Sequence, residues 1–594
     1  MKTTIRAAAL YAVGLFAVAA LCTAAAAGLG RTAAADSGTA AAPAGSPTAA
    51  TPSRQAGPAS MPGAAQAARK IDKGALEAPV RFLADDLVEG RGPATRGDKL
   101  ARLYLASLLE QMGYAPGGPG GSWEQPFEIV GVKAKMPDAW PFKAGNETVS
   151  LRRWDDYIAF SGVQGERAAV SGAELVFVGY GIQAPEYRWD DYKGADLKGK
   201  VLVMMNNDPD WDPDLFAGKT RLYYGRWTYK YESAARQGAA GAIIIHTTPS
   251  AGYPWQVVQT SWSGEKFSLP AAPGEPQIQV AGWATEDAVR RLLAAAGKDL
   301  DKLVAQARSR DFRPVPLGIT TSLTLENQVA HSQTANVAGL LRGSDPALRD
   351  EVVVYSAHHD HFGIGTPDKS GDRIYHGAND NAAGCAQLLA IARAFAALPE
   401  RPRRSVLFLF VGVEEQGLLG SEYYAKHPTF PAGKIAANIN YDGGDIWGRT
   451  TDLTSVAWGK SATLDHLVAA LAARQGRKVV ADPFPDRGHF YRSDQFNFAK
   501  IGVPAVYFNS GTEFRGKPAG WGKETIERWE ATQYHQPSDK LTPDWNFDGM
   551  IEDAQLGFFL GIALAQAPQM PAWNQGDEFA AARERALAAA RSGR

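Results

Sequence analysis

Continuous apolar stretches that alternate with amphipathic stretches dominate the second half of the chain. Apolar runs of strand length occupy 352–356, 405–411, 435–441 and 503–508, and apolar positions at helical spacing occupy 382–397 and 462–474. Short runs that are apolar throughout are typical of strands buried on both faces, with helices covering those faces. The pattern therefore predicts an α/β fold with a mainly parallel sheet and helices on both of its faces.

The first half of the chain has a different pattern. Two helical patterns at 76–87 and 99–112 flank a Gly-Arg-Gly turn and suit packing helices of a large domain. Further on, the chain becomes rich in strand-like runs around one helical stretch, and these lie at 174–181, 199–205, 230–238 (the helix) and 239–245. Beyond them, 285–308 predicts helices and 317–329 predicts an alternating pair of strands.

The segment at 145–285 resembles the protease-associated domain, a small β-rich module that occurs as an insert in larger domains. This resemblance implies a large domain formed by 67–144 and 286–565 around the insert at 145–285, with a C-terminal tail at 566–594. More than one globular unit also suits the length of 594 residues, since one hydrophobic core rarely serves so long a chain. The formal net charge of −1 gives no electrostatic basis for binding nucleic acid or an anionic membrane.

The amino terminus has the pattern of an export signal. Lys2 and Arg6 precede an apolar stretch at 7–27 that ends in small residues, which is typical of a secretory signal peptide at 1–27. The alternative is a membrane anchor, because the stretch approaches spanning length. The Ala-rich end favours the signal, so we expect an exported protein, periplasmic or secreted, with no stable membrane span in the mature chain.

Residues 28–66 consist mainly of Ala, Pro, Gly, Ser and Thr, and we expect a disordered spacer there. Lipid attachment at Cys22 is not favoured, because Leu21 stands where a small residue is expected. Removal of the signal would leave Cys385 as the single cysteine, so we expect no intramolecular disulfide. Cys385 is predicted to be a small core residue.

Acidic and histidine residues follow the ends of the predicted strands. In chain order they are His358 and Asp360, Asp380 in a Gly-rich approach to a helix, Glu414 and Glu415, Asp442, and His535. Open α/β sheets carry their working groups at the carboxyl ends of parallel strands. One such residue alone is more often a surface carboxylate or a core histidine. The whole set in this order predicts a metal site.

The motifs around these residues resemble the co-catalytic di-zinc peptidase family that includes bacterial leucyl aminopeptidases and glutamate carboxypeptidase. They are Ala-His-His-Asp at 357–360, Gly-Ala-Asn-Asp-Asn at 377–381, Glu-Glu-Gln-Gly-Leu-Leu-Gly-Ser at 414–421, Ile-Asn-Tyr-Asp at 439–442 and Tyr-His-Gln-Pro at 534–537. The resemblance extends over 67–565 and implies the zinc-peptidase fold. The insert at 145–285 is similar to the protease-associated domain, and we expect it to act as a lid or spacer.

The resemblance implies two zinc ions per chain. His358, Asp380 and Asp442 would bind one ion. Asp380, Glu415 and His535 would bind the other, so that Asp380 bridges the two. One carboxylate that reaches both ions allows them to lie about 3.5–4 Å apart with a hydroxide between them.

Three residues beside the ligands have implied catalytic roles. Glu414 would be the general base, and it would later protonate the leaving amine. Asp360 would accept the second imidazole N–H of His358 and fix its tautomer. Tyr534 would donate a hydrogen bond to the tetrahedral oxyanion. The family also implies a cis peptide bond after Asp380.

A further segment resembles the substrate-side loop of the family. Arg492, Ser493 and Asp494 are expected to line the pocket, and a salt-bridged loop is an equally good alternative. Of the other histidines, we expect His359 in the core or behind the ligands and His361 in a solvated loop.

The sequence therefore predicts a zinc exopeptidase that hydrolyses terminal bonds of peptides or small proteins with a metal-bridging hydroxide. An aminopeptidase is preferred, and a carboxypeptidase or dipeptidase of the same family is the alternative. That alternative needs Arg or Lys side chains such as Arg492 to hold a terminal carboxylate. Glutaminyl cyclase chemistry is a more distant alternative. A non-catalytic receptor-like protein would be expected to lack ligands, and none is missing here. Residue preference and oligomeric state stay open.

Overall fold

A computed structural model describes residues 61–592. The predicted signal peptide at 1–27 and most of the predicted spacer at 28–66 lie outside the described residues. The spacer prediction is wrong at its end, because Met61 and Ala64 are buried and a helix begins at Ala64. Within the described residues, no helix is both long enough and apolar enough to cross a membrane.

Helices and strands are numbered here in chain order. The helices are α1 Ala64–Ala68, α2 Lys73–Leu83, α3 Arg96–Gln111, α4 Trp227–Arg236, α5 Thr248–Ala251, α6 Trp255–Trp262, α7 Glu286–Ala295, α8 Leu300–Ala307, α9 Gly384–Ala396, α10 Leu419–Lys426, α11 Ala462–Arg474, α12 Gln495–Lys500, α13 Trp521–Thr532, α14 Asp548–Gln566 and α15 Ala580–Arg591. The strands are β1 Ala115–Pro116, β2 Glu124–Lys135, β3 Ala139–Ala144, β4 Glu147–Arg152, β5 Tyr157–Ser161, β6 Arg167–Phe177, β7 Gln183–Ala184, β8 Trp189–Asp190, β9 Val201–Met205, β10 Gly241–His246, β11 Lys266–Ser268, β12 Val280–Thr285, β13 Val315–Leu341, β14 Val352–His358, β15 Gly363–Ile364, β16 Ile374–Tyr375, β17 Ser405–Val411, β18 Ile435–Asn440, β19 Asp452–Ser455, β20 Lys478–Val480 and β21 Ala505–Ser510.

The predicted apolar strands form the centre of a mostly parallel sheet. Its order is β13, β17, β14, β18, β21, β19 and β20. The four central strands β17, β14, β18 and β21 run parallel, so their carboxyl ends meet at one edge. The expected α/β fold with a mainly parallel sheet is confirmed.

Alternate residues of the central strands face different layers. Val353 and Tyr355 pack into the core formed with α2, α9 and α14, whereas Val352 and Val354 pack into a separate core on the other face. The Tyr355 hydroxyl donates to the main-chain carbonyl of Gly557 in α14 at 2.7 Å. Burial on both faces explains why these strands are rich in apolar residues.

A single long strand joins the sheet to the inserted part of the chain. β13 pairs with β3 and β6 over its first half, with β2 over its middle and with β17 at its end. The prediction of a strand pair at 317–329 is therefore wrong. Alternation of buried and exposed residues shows that a segment is extended, but it does not show whether a turn divides the segment.

The inserted part forms its own twisted layer. β6, β9, β10 and β12 run parallel, and β5 pairs antiparallel with β12. The hairpin β3–β4 begins at Ala139, slightly before the expected boundary at 145. Trp140, Phe177 and Leu292 lie in a core separate from that of the parallel sheet. The identification of this layer as a protease-associated domain stays a prediction.

The segment expected as a C-terminal tail includes a packed helix. Arg583 in α15 is 2% exposed and donates to the main-chain carbonyls of Ile435 at 2.9 Å and Ala432 at 3.2 Å. The helix thus lies against the beginning of β18, on the side of the sheet away from the metal ligands.

Candidate metal centre

The five predicted ligands come together at the carboxyl edge of the parallel sheet. His358 is the last residue of β14, Asp442 follows β18 and Glu415 lies in the turn after β17. Asp380 lies in the helical turn before α9, and His535 lies in the loop after α13. His358, Glu415 and Asp442 lie at this edge because a buried strand ends there, and loops bring Asp380 and His535 to the same edge.

Asp380 lies between the two histidines. Its Oδ1 is 3.2 Å from Nε2 of His358, and its Oδ2 is 3.2 Å from Nε2 of His535. Nε2 of His358 is also 3.2 Å from Oδ1 of Asp442, and Nε2 of His535 is 3.1 Å from Oε2 of Glu415. The two predicted ligand sets therefore share one carboxylate, as a bridging ligand requires.

The residues present fit metal ions at these positions. Nε2 of His535 is buried and has no hydrogen-bond partner, although it lies between two carboxylates. Ligand atoms of His358, Asp380 and Glu415 all lie within 4.8 Å of one another, and so do those of His358, Glu414 and Asp442. Imidazole nitrogen and carboxylate oxygen are ligands that zinc accepts.

The electrostatics of the cluster also favour a cation. Burial alone would lower the pKa of His535, but Glu415 and Asp380 raise it to about 9. Burial alone would raise the pKa of Glu415, and Asp380 adds to this, but His535 and His361 lower it to about 2. Carboxylates that remain ionised at a buried place stabilise positive charge between them.

Glu414 lies beside the ligand sets at the surface of the cleft. Its Oε2 is 3.9 Å from Nε2 of His358, and the residue is 8% exposed. Burial raises the pKa of Glu414 well above its ordinary value, and His358 opposes this rise. A carboxyl group in this environment can hold a proton and release it, which a general base requires.

Asp360 does not bind His358 in the predicted way. Nδ1 of His358 lies 3.3 Å from the main-chain carbonyl of Asp360 and 3.7 Å from its carboxylate. The carboxylate instead accepts the main-chain N–H groups of Glu414 at 3.0 Å and Glu415 at 3.3 Å. Asp360 therefore positions the turn that carries both glutamates, because two converging N–H groups are better partners than a distant imidazole.

Tyr534 lies over the ligand that follows it. Its ring stacks on that of His535 with centroids 3.7 Å apart. Arg492 donates to the Tyr534 hydroxyl oxygen at 3.2 Å. Since this bond uses an oxygen lone pair, the hydroxyl hydrogen stays free to point toward a bound substrate.

The predicted substrate loop is divided between the cleft wall and the core. Arg492 and Ser493 line the cleft, and Ser493 also accepts a hydrogen bond from Asn440 at 2.8 Å. Asp494 lines neither side of the cleft and is fully buried, and burial raises its pKa to about 7. The prediction for Asp494 is wrong, since the chain turns inward at the start of α12.

Two chambers open on either side of the centre, and both are lined by Glu414, Glu415, Arg492 and Tyr534. The first chamber extends past Asp442 to an apolar wall. That wall comprises Trp447, Phe484, Phe508, Ile526 and Trp529. The second chamber lies between the inserted layer and the parallel-sheet domain.

Comparison with known families matches residues 336–559 to Peptidase family M28. This stretch contains all five predicted ligands and Glu414. The domain that contains this match is called the M28 domain below. The resemblance to zinc peptidases that the motifs indicate is confirmed.

Several known proteins are similar to the chain. Aminopeptidase YwaD of Bacillus subtilis is 23% identical over 364 residues, which are 58% of each chain. The probable leucine aminopeptidase 2 of Aspergillus fumigatus is 30% identical over 327 residues, 52% of this chain and 55% of the relative. The chain thus matches little more than half the length of these two relatives.

A solved structure supports the fold over a longer range. The aminopeptidase from an Aneurinibacillus species has a TM-score of 0.50 and 21% identity. The alignment covers 86% of this chain and 98% of that chain. The insert and the M28 domain therefore occur together in a fold that is already known.

Two buried residues that sequence reasoning missed hold the ligand loops of the M28 domain. Asp539 accepts the main-chain N–H groups of Asn379 at 2.9 Å and Asp380 at 3.0 Å. The expected cis peptide bond after Asp380 is present. Asp539 comes four residues after His535, so its proximity to the motif around that histidine could have identified it from the sequence.

The second missed residue is Arg91, in the Gly-Arg-Gly turn before α3. It is fully buried and donates to the main-chain carbonyls of His359 at 2.7 Å, His376 at 2.8 Å and Gly377 at 2.9 Å, as well as to that of Leu83. One guanidinium group therefore ties the amino-terminal helices to the loops on either side of the ligands.

The histidines beside His358 differ in their environments. His359 is fully buried with Nε2 3.1 Å from Oδ1 of Asp98, which confirms the expected core position. His361 is also fully buried, and its Nδ1 is 2.6 Å from Oε1 of Glu415. The prediction of a solvated loop for His361 is wrong, because the loop after β14 folds back under the ligand Glu415.

The insert contributes directly to the metal centre. Ser261 in α6 places its Oγ 2.9 Å from Nδ1 of His535. With Nε2 of His535 directed to the metal site, Nδ1–H donates to Ser261 and fixes the orientation of the ring. No sequence signal indicates this contact, since the two residues are far apart in the chain and lie in different layers.

We predict that Ser261→Ala weakens metal binding at the position of His535. Loss of a hydrogen bond to a ligating histidine typically costs about tenfold or more in affinity. The measurement is zinc content after dialysis against graded concentrations of a chelator. His535→Ala should lose this ion outright, and Ser263→Ala, a matched serine just beyond α6, should behave as the parent chain. Unchanged zinc content in His535→Ala would show that the ligand set is wrong.

We predict that Arg91→Met lowers the stability of the M28 domain. Removal of the guanidinium group leaves buried carbonyls without donors, at a cost of about 3 kcal/mol or more. Thermal unfolding and zinc content should both fall. Arg91→Lys keeps the charge but cannot reach all of the carbonyls, so an intermediate effect is expected. An unaltered unfolding midpoint in Arg91→Met would contradict this role.

Proposed function

We propose that the protein is an exported aminopeptidase that holds two zinc ions. The proposal is supported by the complete ligand set, by the aminopeptidases among its relatives and by the export pattern at 1–27. Peptides or small proteins would be its substrates.

The acidic residues that line the first chamber favour an aminopeptidase over a carboxypeptidase. Among the described residues, Arg492 is the only arginine or lysine that lines it. The acidic residues that line it are Asp380, Glu414, Glu415, Asp442, Asp445, Asp482, Glu530 and Asp553. Of these, Asp380, Glu415 and Asp442 are the predicted metal ligands, and Asp553 and Glu530 pair with Arg477 and Arg487. The carboxylates that remain attract a free amino terminus and repel a terminal carboxylate. Its apolar wall suits a large apolar first residue.

The residues of the centre have separable tasks. His358, Asp380 and Asp442 would hold one zinc ion, and Asp380, Glu415 and His535 the other. Zinc, when bound, polarises a substrate carbonyl and lowers the pKa of water. The protein supplies the ligands in a fixed arrangement before substrate arrives, so little reorganisation is needed during the reaction.

Two side chains that line both chambers transfer the proton and stabilise the oxyanion. Glu414 takes the proton from the attacking water and gives it to the leaving amine, since its buried carboxyl can exist in both protonation states. Tyr534 donates its hydroxyl hydrogen to the oxygen of the former carbonyl, while Arg492 donates to Tyr534 and orients it.

We predict that Glu414→Gln retains zinc but loses turnover. The amide keeps the shape of the side chain and cannot take up a proton, so kcat should fall about 10²–10⁴-fold. Steady-state kinetics and metal analysis on the same preparation test this. Glu326→Gln, a surface substitution on β13, serves as the control. Preserved turnover in Glu414→Gln would remove this residue as the base.

The choice between the two termini is tested with leucine-initiated pentapeptides, in which the carboxyl terminus is far from the first peptide bond. Each is prepared with a free or acetylated amino terminus and with a free or amidated carboxyl terminus. With zinc present, acetylation should abolish cleavage and amidation should not, and a chelator should stop all cleavage. Cleavage that survives acetylation but not amidation would instead establish a carboxypeptidase.

A further inference from the structure

The second chamber lies on the side of the centre away from Asp442. The insert contributes Arg226, Trp262 and Lys266 to it, and the M28 domain contributes His535. The two chambers meet at residues that include Glu414. If the first chamber holds the terminal residue, the bond to be cleaved lies at this junction, and the second chamber receives the leaving part of the substrate.

Arg226 is a partly buried cation that lacks an anionic partner among the described residues. It precedes α4, and its Nε is buried without a hydrogen-bond partner. Within the described residues, no carboxylate lies within ion-pair distance of it, and its strongest electrostatic neighbour is a second guanidinium, that of Arg492. Burial and Arg492 lower the pKa of Arg226 to about 10. A desolvated guanidinium group beside another one favours an anion between or near them.

Lys266 on β11 lines the same chamber. Burial lowers the pKa of its ammonium group to about 7 and Glu415 opposes this fall, so a carboxylate that binds there favours the charged form. Its Nζ lies 4.5 Å from the centroid of the Trp262 ring and donates to the main-chain carbonyl of Ser261 at 3.2 Å. No carboxylate in the described part of the chain lies within ion-pair distance of this ammonium group. Two of its three N–H donors are therefore open to the chamber.

Four acidic side chains line the chamber; Glu414 and Glu415 belong to the metal centre, and the other two are engaged by neighbouring side chains. Glu232 accepts a hydrogen bond from the Tyr223 hydroxyl at 2.7 Å. Glu422 accepts one from Lys426 at 2.6 Å. Neither carboxylate neutralises Arg226 or Lys266, so the positive surface is left to a group that enters the chamber.

On the basis of the proposed aminopeptidase function, we propose that Arg226 and Lys266 bind a carboxylate on the leaving part of the substrate. The substrate class is then a dipeptide, whose terminal carboxylate reaches the chamber, or a longer peptide with an acidic second residue. Arginine forms paired hydrogen bonds with a carboxylate, which gives orientation as well as affinity. The insert would therefore select substrates and would not act only as a lid or spacer.

The test uses the full chain with zinc and two matched pairs of substrates. The first pair is leucyl-alanine and its amide, which differ in the terminal carboxylate. The second pair is leucyl-glutamate amide and leucyl-glutamine amide, which differ in the side-chain carboxylate. We expect kcat/KM to be about 10- to 100-fold higher for the carboxylate member of at least one pair, the size typical of a charged hydrogen bond. The pair that shows the preference identifies the source of the carboxylate.

Arg226→Gln should lower this preference about tenfold or more, and Lys266→Gln should lower it as well. Arg167→Gln, which removes an exposed cation from the same insert, should leave the preference unchanged. The preference of the parent chain is itself a test that does not depend on whether a variant folds. Equal kcat/KM within both pairs would overturn the inference and leave an aminopeptidase. Absence of zinc-dependent cleavage of all four substrates would overturn the proposed function instead.

Discussion

The concentration of carboxylates at a buried sheet edge is the constraint on which the rest of the structure depends. Asp380, Glu415 and Asp442 lie within reach of two imidazole groups, and little solvent is present to stabilise their charge. In water such groups repel one another only weakly, but in a buried place the repulsion is strong. The cluster is therefore tolerable only with positive charge between the carboxylates. This need for positive charge is stronger support for a metal site than any single distance between the ligand atoms.

A second requirement is that the loops that carry these ligands keep their positions although the carboxylates repel one another. The protein meets it with buried side chains that bind main-chain groups. Asp360 binds the turn of Glu414 and Glu415, Asp539 binds the turn of Asp380, and Arg91 binds the carbonyls of the flanking loops. Each contact satisfies main-chain groups that a loop would otherwise leave unpaired in the interior. The metal centre is thus built by polar side chains that touch no metal themselves.

The parts of the structure that sequence predicted are those with a local signal. The central strands are rich in apolar residues, and three of the five predicted ligands lie at or just beyond strand ends, so periodicity and motif order are sufficient to predict them. The errors arose where the outcome depends on distant parts of the chain. β13 is one strand because five different strands pair along it, and His361 is buried because its loop folds under Glu415. Asp494 points inward because α12 begins there. None of these contacts can be predicted from the pattern of hydrophobic and polar residues near it in the sequence.

The insert lies outside the domain that holds the predicted ligands, but it contributes residues to the metal centre and to the second chamber. Ser261 holds the ring of His535, and Arg226 and Lys266 form the cationic wall of the second chamber. All three lie outside the residues matched to family M28. Orientation of the His535 ring and the charge of the second chamber thus depend on the same layer. Under the proposed function, a shift of the insert would alter the geometry of the metal site and the selection of substrates together, because Ser261, Arg226 and Lys266 all belong to it.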